Sequence, residues 1–150
     1  DMSDFSLGYT YDAIVCLFSA IGYLTTLEQV ERALRCFRKH LAPNGVVLVE
    51  PWFSPGILDT SRVSKNTATY QGRTVVRTSH ITVEGRISRI HFSYDIETPD
   101  GMRHATEVHE LGLFTPKEMG AAFQAAGFKA RFDPKGPTGR GLWTATRVNS

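Results

Sequence analysis

The 150-residue sequence has few cysteines, no long apolar run and no block of like charge. Cys16 and Cys36 have no Cys or His nearby at metal-ligand spacing, so we interpret both as reduced, small hydrophobic residues. No segment approaches the ~20 apolar residues that a membrane-spanning helix requires, and the N-terminus lacks the basic-then-apolar order of a signal peptide. We therefore expect a soluble, cytoplasmic protein with no membrane partner.

Charge and motif content exclude several further functions. The 17 basic and 15 acidic residues give a net charge of +2, spread along the chain with no basic stripe, which disfavours a nucleic-acid partner. His91, His104 and His109 have no carboxylate or cysteine at ligand spacing, so no metal site is expected. The sequence contains neither a nucleophile elbow nor a phosphate-binding P-loop.

The first fifty residues predict a strand, a helix and a strand. Residues 11–17 form a short apolar run, typical of a strand buried on both faces of a parallel sheet. A cap at Thr25 or Thr26 opens a helical pattern that runs to Lys39 and His40. A turn at 42–45 precedes a second buried strand over 46–50. This βαβ order would place both carboxyl strand ends at the edge where open α/β folds bind ligands.

The middle of the chain is rich in β-branched and aromatic residues. It predicts antiparallel strands over 69–80, 86–97 and 102–113, joined by tight turns. Apolar and polar residues alternate over 90–96, so one face should be packed and the other wet. Such a sheet is suited to covering a ligand site.

A second helix and two strands complete the pattern. Thr115 has capping-box spacing to Glu118, Pro116 takes the first helical position, and Gly127 ends the helix. Residues 128–133 and 141–148 predict strands, separated by a glycine-rich loop that ends in Arg140.

Several motifs within these elements carry a family resemblance. Tyr-Asp-Ala-Ile-Val at 11–15, Leu-Ala-Pro-Asn-Gly-Val-Val-Leu-Val-Glu-Pro at 41–51 and Ala-Ala-Gly-Phe at 125–128 resemble, in order and spacing, the second half of a class I S-adenosylmethionine-dependent methyltransferase. Stretches at 18–24, 49–52, 77–80 and 136–142 more specifically resemble the TDP-amino-sugar N,N-dimethyltransferases of the desosamine and mycaminose type.

The resemblance implies an architecture and a missing part. It implies a single partial domain over 1–150, the C-terminal part of a Rossmann-like α/β methyltransferase sheet (βαβ, then αββ), with 63–113 as an inserted antiparallel sheet on the substrate side. The family's first strand and Gly-x-Gly cofactor loop correspond to a region before Asp1. We therefore expect that an N-terminal portion is absent and that this chain alone is inactive.

The resemblance also implies S-adenosylmethionine as cofactor and assigns residues to it. Asp1 and Met2 match a segment beside the adenine, for which the alternative is a frayed terminus. The backbone of Leu17, Phe18 and Ser19 would pass along the cofactor, with the Phe18 ring as an apolar wall. The alternative for Phe18 is core packing.

Tyr23 matches the position that the family places close to the reacting amine. Its phenol would orient the nitrogen lone pair or help to remove a proton through water, so we predict that it is the catalytic residue. The alternative is a half-buried tyrosine at a helix entry.

Five residues are predicted to hold a nucleotide-linked sugar. Glu50 and Trp52 would hold the sugar by hydrogen bonding and stacking, and Arg77 with Ser79 would bind a phosphate oxygen. Arg140, flanked by glycines, would grip the diphosphate through its planar guanidinium. The alternatives are a solvated strand end for Glu50 and ordinary exposed arginines for Arg77 and Arg140.

The sequence therefore predicts methyl transfer to the amino group of a TDP-linked deoxyamino sugar, in an enzyme that the resemblance implies is a homodimer. Two alternatives stay open at this stage. One is a methyltransferase that acts on another small molecule. The other is a truncated, non-catalytic dimerisation or binding module.

Overall fold

A computed structural model describes residues 1–148, which contain two four-stranded β-sheets and two α-helices. The elements are β1 (Tyr11–Cys16), a 3-10 helix (Ala20–Tyr23), α1 (Leu27–His40), β2 (Leu41–Val49), β3 (Val63–Tyr70), β4 (Arg73–Glu84), β5 (Ile87–Thr98), β6 (Gly101–Gly112), α2 (Pro116–Ala125), β7 (Phe128–Asp133) and β8 (Leu142–Arg147). No helix within these 148 residues is long and apolar enough to cross a membrane.

The first sheet has the strand order β1-β2-β8-β7. β1 and β2 are parallel and β8 runs antiparallel to both of its neighbours. The expected turn at 42–45 is instead an irregularity within β2, because the partner of β1 moves from Leu41 to Val46 between Tyr11 and Ala13. Gly45 permits this close approach, since a Cβ there would lie 2.7 Å from Leu41 Cδ1.

The expectation that β1 is buried on both faces is wrong for the part of the chain that the structure describes. Val15 is 60% exposed, and only Cys16 of this strand is buried. The reason is position: within residues 1–148, β1 is an edge strand that pairs with β2 alone.

Both helices begin with a complete capping box and pack their apolar stripes into one core. The Thr26 hydroxyl accepts from Gln29 N, and the Thr115 hydroxyl accepts from Glu118 N, each at 3.2 Å. Such a cap typically stabilises a helix by ~1 kcal/mol. The core between the helices and the first sheet includes the fully buried Val30, Leu34, Leu41, Val47, Val49 and Phe123.

The second sheet is an antiparallel meander in the order β3-β4-β5-β6. The expected strand over 69–80 is wrong at its start, because a turn at Gln71 and Gly72 divides it into β3 and β4. Both residues have positive φ, 49° and 73°, the conformation that tight hairpin turns require and that a Gln-Gly pair signals weakly.

One face of the second sheet lies toward the first sheet. Ser88, Ile90, Phe92 and Tyr94 share this face because side chains alternate along β5, and we call it the inner face. Trp52, which follows β2, donates its indole N–H to Ser88 Oγ at 2.8 Å. The inner face therefore lies beside the carboxyl ends of β1 and β2.

Candidate active site

The carboxyl ends of β1 and β2 meet as neighbours. Cys16 pairs with Val49, and Glu50 N donates to Cys16 O at 2.9 Å, so the segments after these strands begin side by side. Phe18 and Ser19 then turn the chain with φ values of 53° and 59°, a conformation that costs non-glycine residues ~1–3 kcal/mol each. Such strain persists only where surrounding contacts enforce it, and it is concentrated at functional sites.

Two hydrogen bonds hold this strained turn. Glu50 Oε2 accepts from Phe18 N at 2.6 Å, and Ser19 Oγ donates to Pro51 O at 2.7 Å. Ser19 is buried, whereas the Phe18 ring is 83% exposed at the strand tip. Within residues 1–148 the Phe18 ring therefore does not pack into a core.

Glu50 is the buried centre of the site, with 1% of its surface exposed. Besides Phe18 N, it accepts from the Thr138 hydroxyl and from Arg140 Nη2, the latter at 3.1 Å. Burial would by itself raise the pKa of the Glu50 carboxyl, but these hydrogen bonds and the Arg140 charge outweigh burial and lower that pKa below its ordinary value. The solvated strand end that was the alternative for Glu50 is therefore wrong.

Arg140 contacts two other predicted substrate residues, Glu50 and Trp52. Its guanidinium carbon lies 5.8 Å from the centroid of the Trp52 ring, while Nη2 bonds to Glu50. Its side chain is 23% exposed, so a planar group that approaches from solvent still reaches it. The structure thus brings Glu50, Trp52 and Arg140 together at the strand ends.

A cavity of about 230 Å³ opens beside this group. Its wall is largely apolar, and Arg140 supplies a charge to it. Trp143, only 5% exposed, also lines the cavity, and its indole N–H has no partner among the described residues. Its lining includes Trp52, Phe53, Phe114, Phe132, Arg140 and Trp143.

Tyr23 lies at the end of the 3-10 helix and faces the second sheet. Its hydroxyl oxygen is 2.5 Å from His109 Nδ1, and its ring centroid is 5.8 Å from that of His109. Gly22 allows this placement, because a Cβ there would lie 2.9 Å from Trp52 Cβ. Tyr23 is 51% exposed, so it is accessible to a ligand that occupies the inner face.

Sequence reasoning missed the partners of Tyr23. His109 Nε2 is 3.3 Å from Glu107 Oε2, and the Tyr94 hydroxyl donates to the same oxygen at 3.0 Å. The alternation of side chains along the strands was the signal available. Once the turn after β5 fixes the register, His109 lies opposite Ile90 and Glu107 lies opposite Phe92, so His109 and Glu107 are both on the inner face.

Arg77 and Ser79 lie further along the same inner face. Arg77 is paired with Tyr94 and Ser79 with Phe92, and the Arg77 guanidinium carbon is 5.2 Å from the Phe92 ring centroid. Tyr94 is six residues from Ser88 on β5, about 20 Å along the strand. The structure therefore does not bring Arg77 together with the Trp52 and Arg140 group.

The remaining predicted positions lie near the start of the chain and the β1 tip. Asp1 is exposed and its carboxylate accepts from Ser3 N at 2.8 Å, and Met2 packs partly buried against the core. Leu17 is 37% exposed, and its carbonyl accepts from Ala20 N at 3.1 Å. Among residues 1–148, no group of three or more His, Cys, Asp or Glu side chains is arranged to hold a metal ion.

Comparison with known proteins reveals close relatives among sugar methyltransferases. The chain is 43% identical over 145 residues to dTDP-3-amino-3,6-dideoxy-alpha-D-glucopyranose N,N-dimethyltransferase of Streptomyces fradiae, covering 96% of this chain and 57% of that protein. It is 42% identical over 144 residues to dTDP-3-amino-3,4,6-trideoxy-alpha-D-glucopyranose N,N-dimethyltransferase of Streptomyces venezuelae, covering 95% and 61%. The predicted resemblance is confirmed. The chain spans 57% to 61% of the length of these two relatives.

Solved structures give the same result for the fold. Streptomyces venezuelae DesVI superposes with a TM-score of 0.92 at 41% identity, over 99% of this chain and 63% of that chain. The amino pentose methyltransferase CalS10 of Micromonospora echinaspora, solved with S-adenosylmethionine bound, gives 0.87 at 38% identity, with the same coverages. The α/β methyltransferase fold is thereby confirmed. No protein-family model matches the chain.

Proposed function

We propose that this chain is part of an S-adenosylmethionine-dependent methyltransferase that methylates the amino group of a TDP-linked deoxyamino sugar. The observation that carries the proposal is the group formed by Glu50, Trp52 and Arg140 at the ends of two parallel strands. That group lies in a chain about 40% identical to dTDP-amino-sugar N,N-dimethyltransferases. A guanidinium that stacks on an indole and stays partly open to solvent is suited to a diphosphate attached to a sugar.

The turn at the β1 tip fits the cofactor's role in the proposal. Its left-handed backbone presents Leu17, Phe18 and Ser19 at the strand end, and the exposed Phe18 ring offers an apolar surface there. Asp1 and Met2 would lie beside the adenine. S-adenosylmethionine supplies a methyl group on a positively charged sulfur. The protein needs to align the amine with it and exclude water.

The substrate residues then divide between the strand ends of the first sheet and the far part of the inner face. Arg140 would bind the diphosphate and Trp52 would stack on the sugar, while Glu50 acts indirectly by fixing Arg140 and the Phe18 turn. Arg77 and Ser79 would contact a phosphate oxygen only if the ligand extends along β4. A TDP-sugar carries one diphosphate, so its phosphates would contact either Arg140 or the pair of Arg77 and Ser79, and Arg140 is the proposed contact.

Tyr23 would act on the amine itself. Its hydroxyl lies against His109 on the inner face, where it would accept an N–H and so direct the nitrogen lone pair toward the methyl group. We keep it as the proposed catalytic residue.

The proposal includes a place for this chain in the whole enzyme. Residues 1–150 would be the C-terminal part of a Rossmann-like sheet with βαβ and then αββ connections, and 63–113 the inserted substrate-side sheet. The enzyme would be a cytoplasmic homodimer without a nucleic-acid partner. The isolated chain would be inactive.

The test uses the protein expressed from its complete gene, with S-adenosylmethionine and TDP-3-amino or TDP-4-amino deoxysugars, and mass spectrometry to count the methyl groups added. Arg140→Ala should raise the KM for the sugar roughly 10- to 100-fold, as losing a charged hydrogen bond implies, with cofactor affinity unchanged. Arg131→Ala, which removes an exposed arginine of β7, is the matched control. An absence of methylation, or an equal loss of cofactor and sugar binding in Arg140→Ala, would contradict the proposal.

A further inference from the structure

Tyr23, His109 and Glu107 form a continuous line of polar atoms on the inner face. Tyr23 Oη and His109 Nδ1 are 2.5 Å apart, and His109 Nε2 and Glu107 Oε2 are 3.3 Å apart. The residues come from two places, the end of the 3-10 helix and alternate positions of β6. A tyrosine hydroxyl is thus linked to a carboxylate through both nitrogens of one imidazole.

The protonation pattern of this line follows from its far end. Hydrogen bonds from His109 and Tyr94 outweigh desolvation and lower the pKa of the Glu107 carboxyl below its ordinary value, so Glu107 is an acceptor near neutral pH. A neutral His109 that donates to this carboxylate carries its proton on Nε2 and keeps Nδ1 free. Tyr23 in turn donates to Nδ1, which leaves its oxygen lone pairs facing the site.

We infer that His109, oriented by Glu107, is a positioning residue that sets Tyr23 as the acceptor for the substrate ammonium and receives the proton that the amine must lose. This inference rests on the proposed function. A protonated amine has no lone pair with which to attack a methyl group, so a proton acceptor near the amine increases the reactive fraction.

The proton transfer balances without any further reactant. An N–H proton of the ammonium passes to Tyr23 Oη while the Tyr23 hydroxyl proton passes to His109 Nδ1. The amine becomes neutral, Tyr23 stays neutral, and His109 becomes an imidazolium beside the Glu107 carboxylate. The neutral amine could then accept the methyl group that bound S-adenosylmethionine would supply, with the carbon–sulfur bonding electrons left on sulfur.

The surroundings of His109 are consistent with this role. From β5, the Phe92 ring meets the imidazole edge-on at 5.2 Å, and Tyr94 shares the carboxylate of Glu107. From β4, the Arg77 guanidinium carbon lies 5.2 Å from the Phe92 ring centroid, which brings a cation to this part of the inner face. The side chains of His109 and Glu107 are 32% and 55% exposed, so the imidazolium can return its proton to water after each turnover.

The first test measures the protonation state directly and needs no turnover. Nitrogen-15 NMR of the histidine side chains should show the Nε2–H form of His109, and Tyr23→Phe should shift the Nδ1 resonance because it removes the donor. A proton on Nδ1, or a resonance that Tyr23→Phe leaves unmoved, would overturn the inference whatever the enzyme methylates.

The second test is the pH profile of kcat/KM in the protein expressed from its complete gene. His109→Gln should lower kcat/KM on the order of 100-fold and change its dependence on pH, because glutamine cannot take up the proton that Tyr23 passes on. His104→Gln is the matched control, because His104 also pairs with a carboxylate, Asp95 at 2.6 Å, but on the opposite face of the same sheet.

The outcomes separate the two proposals. If the wild type methylates amino sugars and His109→Gln has the same rate and pH profile as His104→Gln, the inference fails and the proposed function stands. If the wild type methylates no amino sugar, the proposed function fails and the inference fails with it. A selective loss in His109→Gln, with an unchanged sugar KM, supports the inference.

Discussion

The indole N–H of Trp52 donates to Ser88 Oγ at 2.8 Å, and Ser88 in turn donates to the carbonyl of Leu111 at 3.2 Å. Ser88 has no exposed surface. This chain of hydrogen bonds connects the segment after β2 to β5 and β6, and so attaches the second sheet to the strand ends of the first. It holds the inner face beside Trp52, next to the strand ends where the proposed site lies.

Replacing Ser88 by Ala should therefore lower the free energy of unfolding by about 1–3 kcal/mol, because the partly buried Trp52 N–H loses its hydrogen-bond acceptor. Denaturant titration measures the change. Ser93→Ala, an exposed serine on the same strand, should leave stability within about 0.5 kcal/mol of wild type. Equal effects of the two substitutions would show that the Trp52 contact does not stabilise the packing of the sheets.

Glu50 should make stability depend on pH at the acid end. Its pKa is lower in the folded protein than in the unfolded chain, so the stabilisation it gives is fully present above the unfolded pKa and is lost as pH falls through the folded pKa. Glu50→Gln should destabilise the protein near neutral pH and flatten the dependence of unfolding free energy on pH in the acid range. Denaturant titrations at a series of pH values give both quantities.

Glu97→Gln is the control for that series, since Glu97 is exposed on β5. It should leave both the stability and its pH dependence close to those of the wild type. A Glu50→Gln variant with the same acid profile as Glu97→Gln would show that the contacts with Thr138, Phe18 and Arg140 do not lower the pKa of Glu50.

Sequence reasoning succeeded where local chemistry decides the structure. Strand β7 was predicted at its observed bounds because Gly127 ends the preceding helix and Pro134 follows the strand. The capping box of Thr115 with Glu118 was predicted, and the first cap was placed at Thr25 or Thr26; the structure has it at Thr26, where Gln29 completes a second box. Strand β3 was missed, since it is exposed and polar along most of its length and gives no hydrophobic period.

The contacts of the site depend on tertiary structure instead. Sequence reasoning placed Glu50 at the strand-end edge, but its pairing with Arg140, 90 residues away, follows from the register of β2 against β8, where Val49 lies opposite Trp143. The contact between Tyr23 and His109 likewise requires the second sheet to fold over the 3-10 helix. No local sequence pattern encodes contacts between residues so far apart in the chain.

Cys16 should resist alkylation in the folded protein. Burial raises the pKa of its thiol to about 11, so almost none of the reactive thiolate forms near pH 8. Cys36, which is only partly buried, serves as the internal comparison. Mass spectrometry after brief iodoacetamide treatment should find Cys36 modified ahead of Cys16, and denaturant should abolish the difference. Faster modification of Cys16 than of Cys36 in the native state would contradict the burial of Cys16 at the end of β1.

The glycine-rich loop offers a test of how Arg140 is positioned. Gly139 and Gly141 both have positive φ, 81° and 94°, so alanine carries a similar backbone penalty at either position. They differ in the room available for a side chain. A Cβ at Gly141 would lie 2.4 Å from the Phe132 ring, whereas none of the described residues comes within 4 Å of a Cβ at Gly139.

Gly141→Ala should therefore destabilise the protein by about 1–3 kcal/mol more than Gly139→Ala, which is the usual cost of overpacking. It should also weaken sugar-nucleotide binding, because Phe132 and the loop must move and Arg140 moves with them. Unfolding free energies and calorimetric titration with TDP measure the two effects. If Gly139→Ala matched Gly141→Ala in both, backbone conformation alone would govern the loop, and close packing against Phe132 would have no part in holding Arg140 at Glu50.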